Sequence, residues 1–279
     1  MNIQPSQETP AQYALLGNKG LTRTQSIALL VTGYVTEFFS FLAMSALYFI
    51  PLKAFDPKEK EIVKDPSGKA EQKPILLVHG LFHNSSGWFY HKHKLNKAGF
   101  KNVFTVNLGA IPNKSIPEYA EVLKKRVNEI RSITGRDDID FVGHSMGGLV
   151  SSYFALNMAE ESGTQVDKIV TLNSPILGTK MHIFAPGPCV RNMSNRSDFV
   201  KNLSQKIKSS PKTRFFHFSS KADLLVRPYF STLNIKDKSE IKSLSPKSTH
   251  ICPNLGHTGI LFSGTASRII VDQLRNTQA

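Results

Sequence analysis

A serine flanked by glycines is the feature of this sequence that most directly indicates chemistry. Ser145 lies in GHSMGGL, residues 143–149, with Gly143 and Gly147 two residues to either side. G-x-S-x-G is the spacing of a sharp strand-to-helix turn. The serine has a strained backbone there, and no residue larger than glycine fits two positions to either side of it. A serine hydroxyl is a useful nucleophile only when a neighbouring base removes its proton. Because a glycine-rich turn with an unreactive serine has the same pattern, the prediction depends on finding partners for Ser145.

The residues around this motif supply the strand and the helix that such a turn requires. DIDFV precedes it, and MGGLVSSYFALNMAEES continues as an apolar helix rich in small residues. Further strands are predicted at PILLVHG, NVFTVNL, QVDKIVTLNSP, TRFFHFSS and STHIC, and further helices at residues 115–134 and 258–274. This alternation predicts an α/β fold with a doubly wound, mostly parallel sheet and helices on both faces.

Candidate partners for Ser145 follow from the predicted sheet, because sites in doubly wound sheets form at the carboxyl ends of strands. Asp223 comes directly after TRFFHFSS, and His257 lies in the loop after the last predicted strand. His257 would take the serine proton and return it to the leaving group, while Asp223 would orient the imidazole. The alternative role for Asp223 is that of a turn residue. His250 is the alternative base, but Gly256 and the helix predicted after it favour His257.

Two backbone amides are predicted to stabilise the negative charge that develops on the substrate oxygen. The amide of Met146 lies at the N-terminus of the predicted helix, and the amide of Leu81 follows the turn His79–Gly80. His79 and His144 are predicted to support these turns rather than to act as bases. This chemistry requires no metal and no organic cofactor.

The segments PILLVHGLFHNSSGW, GHSMGGL, TLNSPILGT, KADLLVRP and LGHTGIL resemble a lipase or esterase of the α/β-hydrolase superfamily, of the bacterial triacylglycerol-lipase type. The resemblance covers residues 74–275, and the chain order Ser145, Asp223, His257 is that of the superfamily. Ile176 stands where the lipase pattern usually has a histidine. The resemblance implies a serine hydrolase that cleaves acyl esters, with a lipid or a small ester as substrate.

Two other classes of function remain open at this point. Thioesterases, acyltransferases and amidases use the same three residues, so the motifs do not separate them from ester hydrolases. A non-catalytic interaction protein on a hydrolase scaffold is the other alternative, because a fold does not determine a function. The presence of all three candidate residues favours an enzyme.

Composition bears on the partners of this protein. The 279 residues carry a formal net charge of +14. The sequence has no zinc-ligand spacing, no RNP-like run and no basic helix with interleaved aromatics, so nucleic acid is not predicted as a partner. Scattered lysines indicate a solvated surface or attraction to anionic lipid. Cys189 and Cys252 have no metal-binding spacing, and they could form one disulfide or be two unrelated thiols.

An apolar run of 26 residues, 27–52, follows a polar segment, residues 1–26. As a helix it would exceed the roughly 30 Å of a bilayer core, and it is longer than the apolar part of an ordinary signal peptide. It therefore predicts a single-pass membrane anchor, with no indication of the side of the membrane. A cleaved signal peptide and a helix docked on the catalytic domain are the alternatives, because Glu37 in mid-span is unfavourable in lipid.

The charged segment 53–73 carries Pro57 and Pro66 and is predicted to be a linker, which leaves residues 74–279 as the catalytic domain. A chain that begins near Lys73 is accordingly expected to be soluble and active. Within the domain, segment 180–212 contains SDFVKNLSQKI, whose apolar residues have helical spacing. This helix is predicted either to form a lid that selects acyl chains or to pack on the sheet as an ordinary core helix.

Overall fold

A computed structural model of the chain describes residues 23–48, 56–109, 111–180, 186–226, 249–252 and 254–275. Within these residues six parallel strands form one sheet in the order β2-β1-β3-β4-β5-β6. The strands are β1 Ile75–Val78, β2 Val103–Val106, β3 Asp138–His144, β4 Gln165–Leu172, β5 Arg214–Ser220 and β6 Thr249–Cys252. The α-helices are α1 Arg23–Leu47, α2 Phe89–Lys97, α3 Ile116–Thr134, α4 Met146–Asn157, α5 Pro188–Asn192, α6 Asp198–Lys208 and α7 Gly264–Arg275. The predicted doubly wound α/β sheet is present.

The strand register brings the carboxyl ends of four neighbouring strands to one edge of the sheet. Val78 of β1 pairs with Gly143 of β3, and His144 pairs with Leu172 of β4. Leu172 in turn pairs with Phe218 of β5. The strand order reverses beside β1, so the loops that follow these strands open at the position where doubly wound sheets form their sites.

Helices cover both faces of the sheet, and alternate strand residues supply the two halves of the core. Leu76 and Val78 of β1 pack with residues of α3, α4 and α6. Ile75 and Leu77 point the other way and pack with residues of α2 and α7. Cys189 belongs to the first of these clusters and Cys252 to the second, and both are free thiols in the structure.

Helix α6 corresponds to the helix predicted within segment 180–212. Its residues Val200, Leu203 and Ile207 are buried, and the ring of Phe199 stacks on Tyr153 of α4 with the centroids 5.7 Å apart. The apolar face of the helix is therefore covered by the domain, as expected of an ordinary core helix. Residues 181–185 of the same segment lie outside the described residues.

The segment predicted as a linker packs against the domain over its described part. The buried carboxylate of Asp56 forms ion pairs with Lys92 of α2 and with Arg126 of α3, the latter at 2.7 Å. It also accepts a hydrogen bond of 2.9 Å from the backbone N–H of Thr105. Ile62 joins the core beside α3. Residues before the predicted domain boundary at residue 74 thus pack against residues that follow it.

Helix α1 covers most of the predicted apolar span, of which residues 49–52 lie outside the described residues. Among the described helices it is the one that is long and apolar enough to cross a membrane, over Ile27–Ala46 with a mean hydropathy of 1.7. Length and composition alone do not separate a membrane anchor from a signal sequence or a core helix. Only 17% of the apolar window is buried, however, so α1 is unlike the core helices.

Candidate active site

Ser145 occupies the sharp turn between β3 and α4. Its backbone has φ 53° and ψ −125°, a conformation that a non-glycine residue adopts only under strain. A Cβ at Gly143 would lie 2.6 Å from the Cα of Gly148, and one at Gly147 would lie 2.2 Å from the carbonyl oxygen of Val78. The glycine spacing is thus required by close approach of the backbone, and it lets strand and helix meet at the serine.

The three residues predicted as nucleophile, general base and orienting carboxylate lie in one hydrogen-bonded chain. The Oγ of Ser145 is 3.0 Å from Nε2 of His257, and Nδ1 of His257 is 2.7 Å from Oδ2 of Asp223. Because a carboxylate only accepts, Nδ1 carries the proton and the lone pair of Nε2 faces the serine hydroxyl. The backbone N–H groups of Leu225 and Val226 each donate to Oδ1 of Asp223 at 2.8 Å and hold the carboxylate in place.

The electrostatic surroundings of His257 favour its protonated form. Burial lowers the pKa of this imidazole, but the charge and hydrogen bond of Asp223 raise it, and the carboxylate of Glu37 raises it further. The net result is a pKa above the usual value for histidine. An imidazole in this state is a stronger base toward a serine proton than a free histidine.

His79 and His144 support the turns around the site, as predicted. Nδ1–H of His79 donates to the carbonyl of Gly80 and Nε2 accepts from the N–H of Leu108, both at 2.8 Å. Burial lowers the pKa of His79 to about 4. Nε2–H of His144 donates to the carbonyl of His257 at 2.8 Å, and burial holds the pKa of His144 well below its usual value. Both imidazole rings are therefore neutral, and their hydrogen bonds hold the backbone around the site.

The two predicted amide donors adjoin Ser145. Met146 is the first residue of α4, where the backbone N–H has no partner within the helix. A Cβ at Gly80 would lie 2.8 Å from the Cβ of Ser145, so the turn that carries Leu81 packs against the nucleophile. In the described part of the chain neither of these amide N–H groups donates to a protein acceptor.

Several residues that hold the loop of His257 were not indicated by the sequence. The side-chain amide of Asn173, after β4, donates to the carbonyl of Gly256 at 3.0 Å. His91 of α2 donates from Nε2–H to the carbonyl of Ile260 at 3.0 Å. Helix α2 itself has no clear apolar periodicity, and no sequence pattern indicates its role. Glu37 also contacts this loop, although the sequence indicated only an unfavourable charge in an apolar run.

His250, the alternative base, lies in β6, where its backbone pairs with Phe218 of β5. It is therefore part of a strand at the edge of the sheet, whereas His257 lies in the loop beyond it. The Oγ of Ser145 donates its hydrogen bond to Nε2 of His257.

Comparisons with known proteins agree with this architecture. A family model described as alpha/beta hydrolase fold matches residues 73–232. A triacylglycerol lipase of Pseudarthrobacter phenanthrenivorans is 30% identical over 122 residues, which are 41% of this chain and only 37% of that lipase. Among solved structures, Aspergillus fumigatus lipase B superposes with a TM-score of 0.58 and 20% identity, over 82% of this chain and 58% of that one. Bacillus licheniformis lipase BlEst2 in its mature form superposes with a TM-score of 0.54 and 20% identity, over 78% of this chain and 95% of that one.

Proposed function

Because this chain belongs to the alpha/beta hydrolase fold family, we propose that it is a serine hydrolase that cleaves carboxylic esters. The observation that carries this proposal is the hydrogen-bonded chain Ser145–His257–Asp223 at the carboxyl edge of the sheet. A nucleophile, a base and an orienting carboxylate within hydrogen-bonding distance are the parts that acyl transfer through a covalent intermediate requires.

In the proposed reaction the Oγ of Ser145 attacks the ester carbonyl while Nε2 of His257 takes its proton. The N–H groups of Leu81 and Met146 bind the oxyanion of the tetrahedral intermediate. The imidazolium then protonates the leaving alcohol, and an acyl-enzyme remains on Ser145. Water attacks this ester with His257 again as base, which releases the carboxylic acid and restores the serine.

The substrate class that we propose is lipid acyl esters. The similarity to a protein named triacylglycerol lipase and the apolar exposed surface of α1 support it. Transfer of the acyl group to another alcohol, or cleavage of a thioester, would use the same three residues. Products of the reaction distinguish these activities, because hydrolysis releases a free carboxylic acid.

A fluorophosphonate probe tests the proposed chemistry directly, because it phosphonylates activated serines. We expect the wild-type protein to be labelled at Ser145 and to hydrolyse p-nitrophenyl butyrate. The matched control is Ser86→Ala, which removes a buried hydroxyl outside the proposed triad. A folded wild-type protein without labelling would instead indicate a non-catalytic protein on a hydrolase scaffold.

The pH dependence of activity follows from the environment of His257. Its imidazole must be neutral to accept the serine proton, and its pKa is raised above the usual value, chiefly because the stabilisation by Asp223 outweighs burial. Activity is therefore lost as the pH falls through this raised pKa. We expect the acid limb of the kcat/KM profile for p-nitrophenyl butyrate to lie above pH 6.5. An acid limb below that value would contradict the raised pKa of His257.

We propose in addition that α1 attaches the protein to a membrane. Eight of its large apolar side chains are exposed: Ile27, Val31, Tyr34, Val35, Phe38, Phe39, Phe41 and Leu42. The opposite stripe of the helix contacts the domain, which supports a helix in the membrane interface rather than one across the bilayer. If the helix spanned the bilayer while keeping those contacts, polar loops of the domain would have to enter the hydrocarbon core.

Replacing Phe38, Phe39 and Phe41 by serine tests this attachment. These side chains are 61%, 63% and 61% exposed, and each contributes about 1.5–3 kcal/mol when buried in an apolar phase. We expect binding to phosphatidylcholine vesicles to fall roughly 100-fold or more, with hydrolysis of p-nitrophenyl butyrate retained. Cosedimentation with the vesicles measures the binding.

The control is Val63→Ser with Ile111→Ser, which removes exposed apolar side chains outside α1. Binding that survives the triple substitution, or that 1 M NaCl abolishes, would indicate electrostatic adhesion of a chain with net charge +14. Retention of the wild type after an alkaline carbonate wash would indicate a spanning helix instead of an interfacial one.

A further inference from the structure

Helix α1 contacts the loops that carry the candidate catalytic residues. Gly33, Ser40 and Met44 are buried on one stripe of the helix, and Glu37 lies among them. A Cβ at Gly33 would lie 2.6 Å from the Cβ of Ala222, the residue before Asp223 in the sequence. This helix therefore packs against the carboxyl edge of the sheet, where the site lies.

The carboxylate of Glu37 binds the backbone directly after His257. The N–H of Thr258 lies 2.9 Å from each of its two oxygens, and the N–H of Gly259 donates to Oε2 at 2.8 Å. A Cβ at Gly256 would lie 2.1 Å from Oε2, so glycine at that position is what admits the carboxylate. Glu37 thus meets the backbone on both sides of His257.

These hydrogen bonds satisfy groups that would otherwise lack partners. Thr258 and Gly259 open the short 3-10 helix Gly259–Phe262, and the first N–H groups of such a helix have no acceptor within it. A carboxylate is a strong acceptor for them, since charge-assisted hydrogen bonds are about twice as strong as neutral ones. The contact fixes the backbone from which the imidazole of His257 projects.

Glu37 also belongs to the set of charged and titratable groups around His257. Asp223 bonds Nδ1 from the loop after β5, and the neutral ring of His144, the last residue of β3, lies 4.9 Å from that of His257, centroid to centroid. Glu37 adds a second negative charge from α1. This charge stabilises the imidazolium and raises the pKa of His257, in the same direction as Asp223.

We propose that Glu37 is a positioning residue for the general base, through which helix α1 holds the loop of His257 in its reactive geometry. The proposal rests on the serine hydrolase function proposed above. It explains why an otherwise apolar helix carries one carboxylate, a group that is unfavourable in lipid. It also means that a chain beginning near Lys73, which the sequence predicts to be active, would lack a support of its catalytic loop.

Glu37→Gln in the full-length protein tests this role, because it keeps the shape of the side chain and removes its charge. The amide oxygen can replace only one of the two carboxylate oxygens, so the N–H of Thr258 would face an NH2 group in place of the other. We expect kcat for p-nitrophenyl butyrate to fall about tenfold or more, since small displacements of a catalytic group have effects of up to roughly 100-fold, with KM little changed. We also expect the acid limb of the kcat/KM profile to move to lower pH, because the imidazolium loses a stabilising charge.

Glu160→Gln is the matched control, since the same substitution there removes an exposed carboxylate that pairs with Lys212 at the surface. Its kcat and pH profile are expected to equal those of the wild type. A folded Glu37→Gln protein whose acid limb coincides with that of the wild type would overturn the proposal, even if its kcat were reduced. Such a result would leave Glu37 with a purely structural role.

Glu37→Asp decides the matter if the glutamine variant does not fold. It keeps a charge near His257 but shortens the side chain by one methylene, so we expect a lower kcat with an acid limb close to that of the wild type. A kcat and pH profile both equal to wild type would overturn the proposal. Fluorophosphonate labelling of wild-type Ser145 separates the failure of the two proposals. If the wild-type protein is not labelled, the hydrolase function is wrong. If it is labelled but the Glu37 variants have the kcat and pH profile of the wild type, only the role of Glu37 is wrong.

Discussion

Alanine at Ser145 or at His257 is expected to lower kcat for p-nitrophenyl butyrate by about 10,000-fold or more, with the fold retained. In the proposed reaction the serine supplies the attacking atom and the histidine moves its proton across the 3.0 Å contact between them, so neither residue functions without the other. The double variant is therefore expected to be only slightly less active than either single variant. Steady-state kinetics on proteins with matched thermal unfolding measures this effect.

Two further substitutions define the roles of the remaining residues. Asp223→Asn is expected to reduce kcat severely but less than Ser145→Ala, because the Leu81 and Met146 amides and part of the histidine function survive. His250→Ala is expected to leave kcat close to wild type. If His250→Ala abolished activity while His257→Ala retained it, the assignment of the base would be wrong. If Ser145→Ala remained fully active, the turn would be only structural and the hydrolase proposal would fail.

Asp56→Ala is expected to lower the free energy of unfolding by about 3–5 kcal/mol, because it leaves buried cations without their partner. Lys92 and Arg126 are both buried and both bind this carboxylate. Arg126 keeps its ion pair with Glu129, whereas burial lowers the pKa of Lys92 and the charge of Asp56 opposes that effect. Thermal unfolding followed by circular dichroism should show Tm lower by on the order of 10 °C.

Glu59→Ala is the control for this prediction, because it removes an acid from the same segment whose ion pair with Lys64 is exposed to solvent. Exposed pairs contribute less than about 1 kcal/mol, so we expect its Tm to remain within about 3 °C of wild type. Equal Tm values for the two variants would show that residues 56–73 are a linker, as the sequence predicts, and not part of the folded domain.

The strands and the chemistry of the site could be predicted because both leave local marks in the sequence. Short apolar runs indicated all six strands of the described sheet, and the helix predicted over residues 115–134 is present as Ile116–Thr134, with a capping box of Ser115 and Glu118 at its start. The glycine spacing indicated Ser145, and the rule that parallel strands open their carboxyl ends to one edge selected His257, 112 residues further along the chain.

Helix α2 shows where local patterns failed. Its sequence FYHKHKLNK is mostly polar, without the apolar periodicity that predicts an amphipathic helix. His91, Lys92 and Leu95 are nevertheless buried in it, because Ser267, Asp56 and the core provide partners for them. A polar residue that is buried beside its partner cannot be told from an exposed one by sequence periodicity alone.

The sequence by itself determined the class of fold, the strained turn at Ser145 and the set of residue types that acyl chemistry requires. Only the tertiary structure decided what Asp56 and Glu37 do, since their partners lie 70 residues away at Arg126 and 221 residues away at Thr258. When only its neighbours in sequence are considered, a charge in a linker is expected to be solvated, and a charge in an apolar helix is expected to be unfavourable. Its free energy depends on the donors that folding brings to it, and those are set by the packing of distant elements.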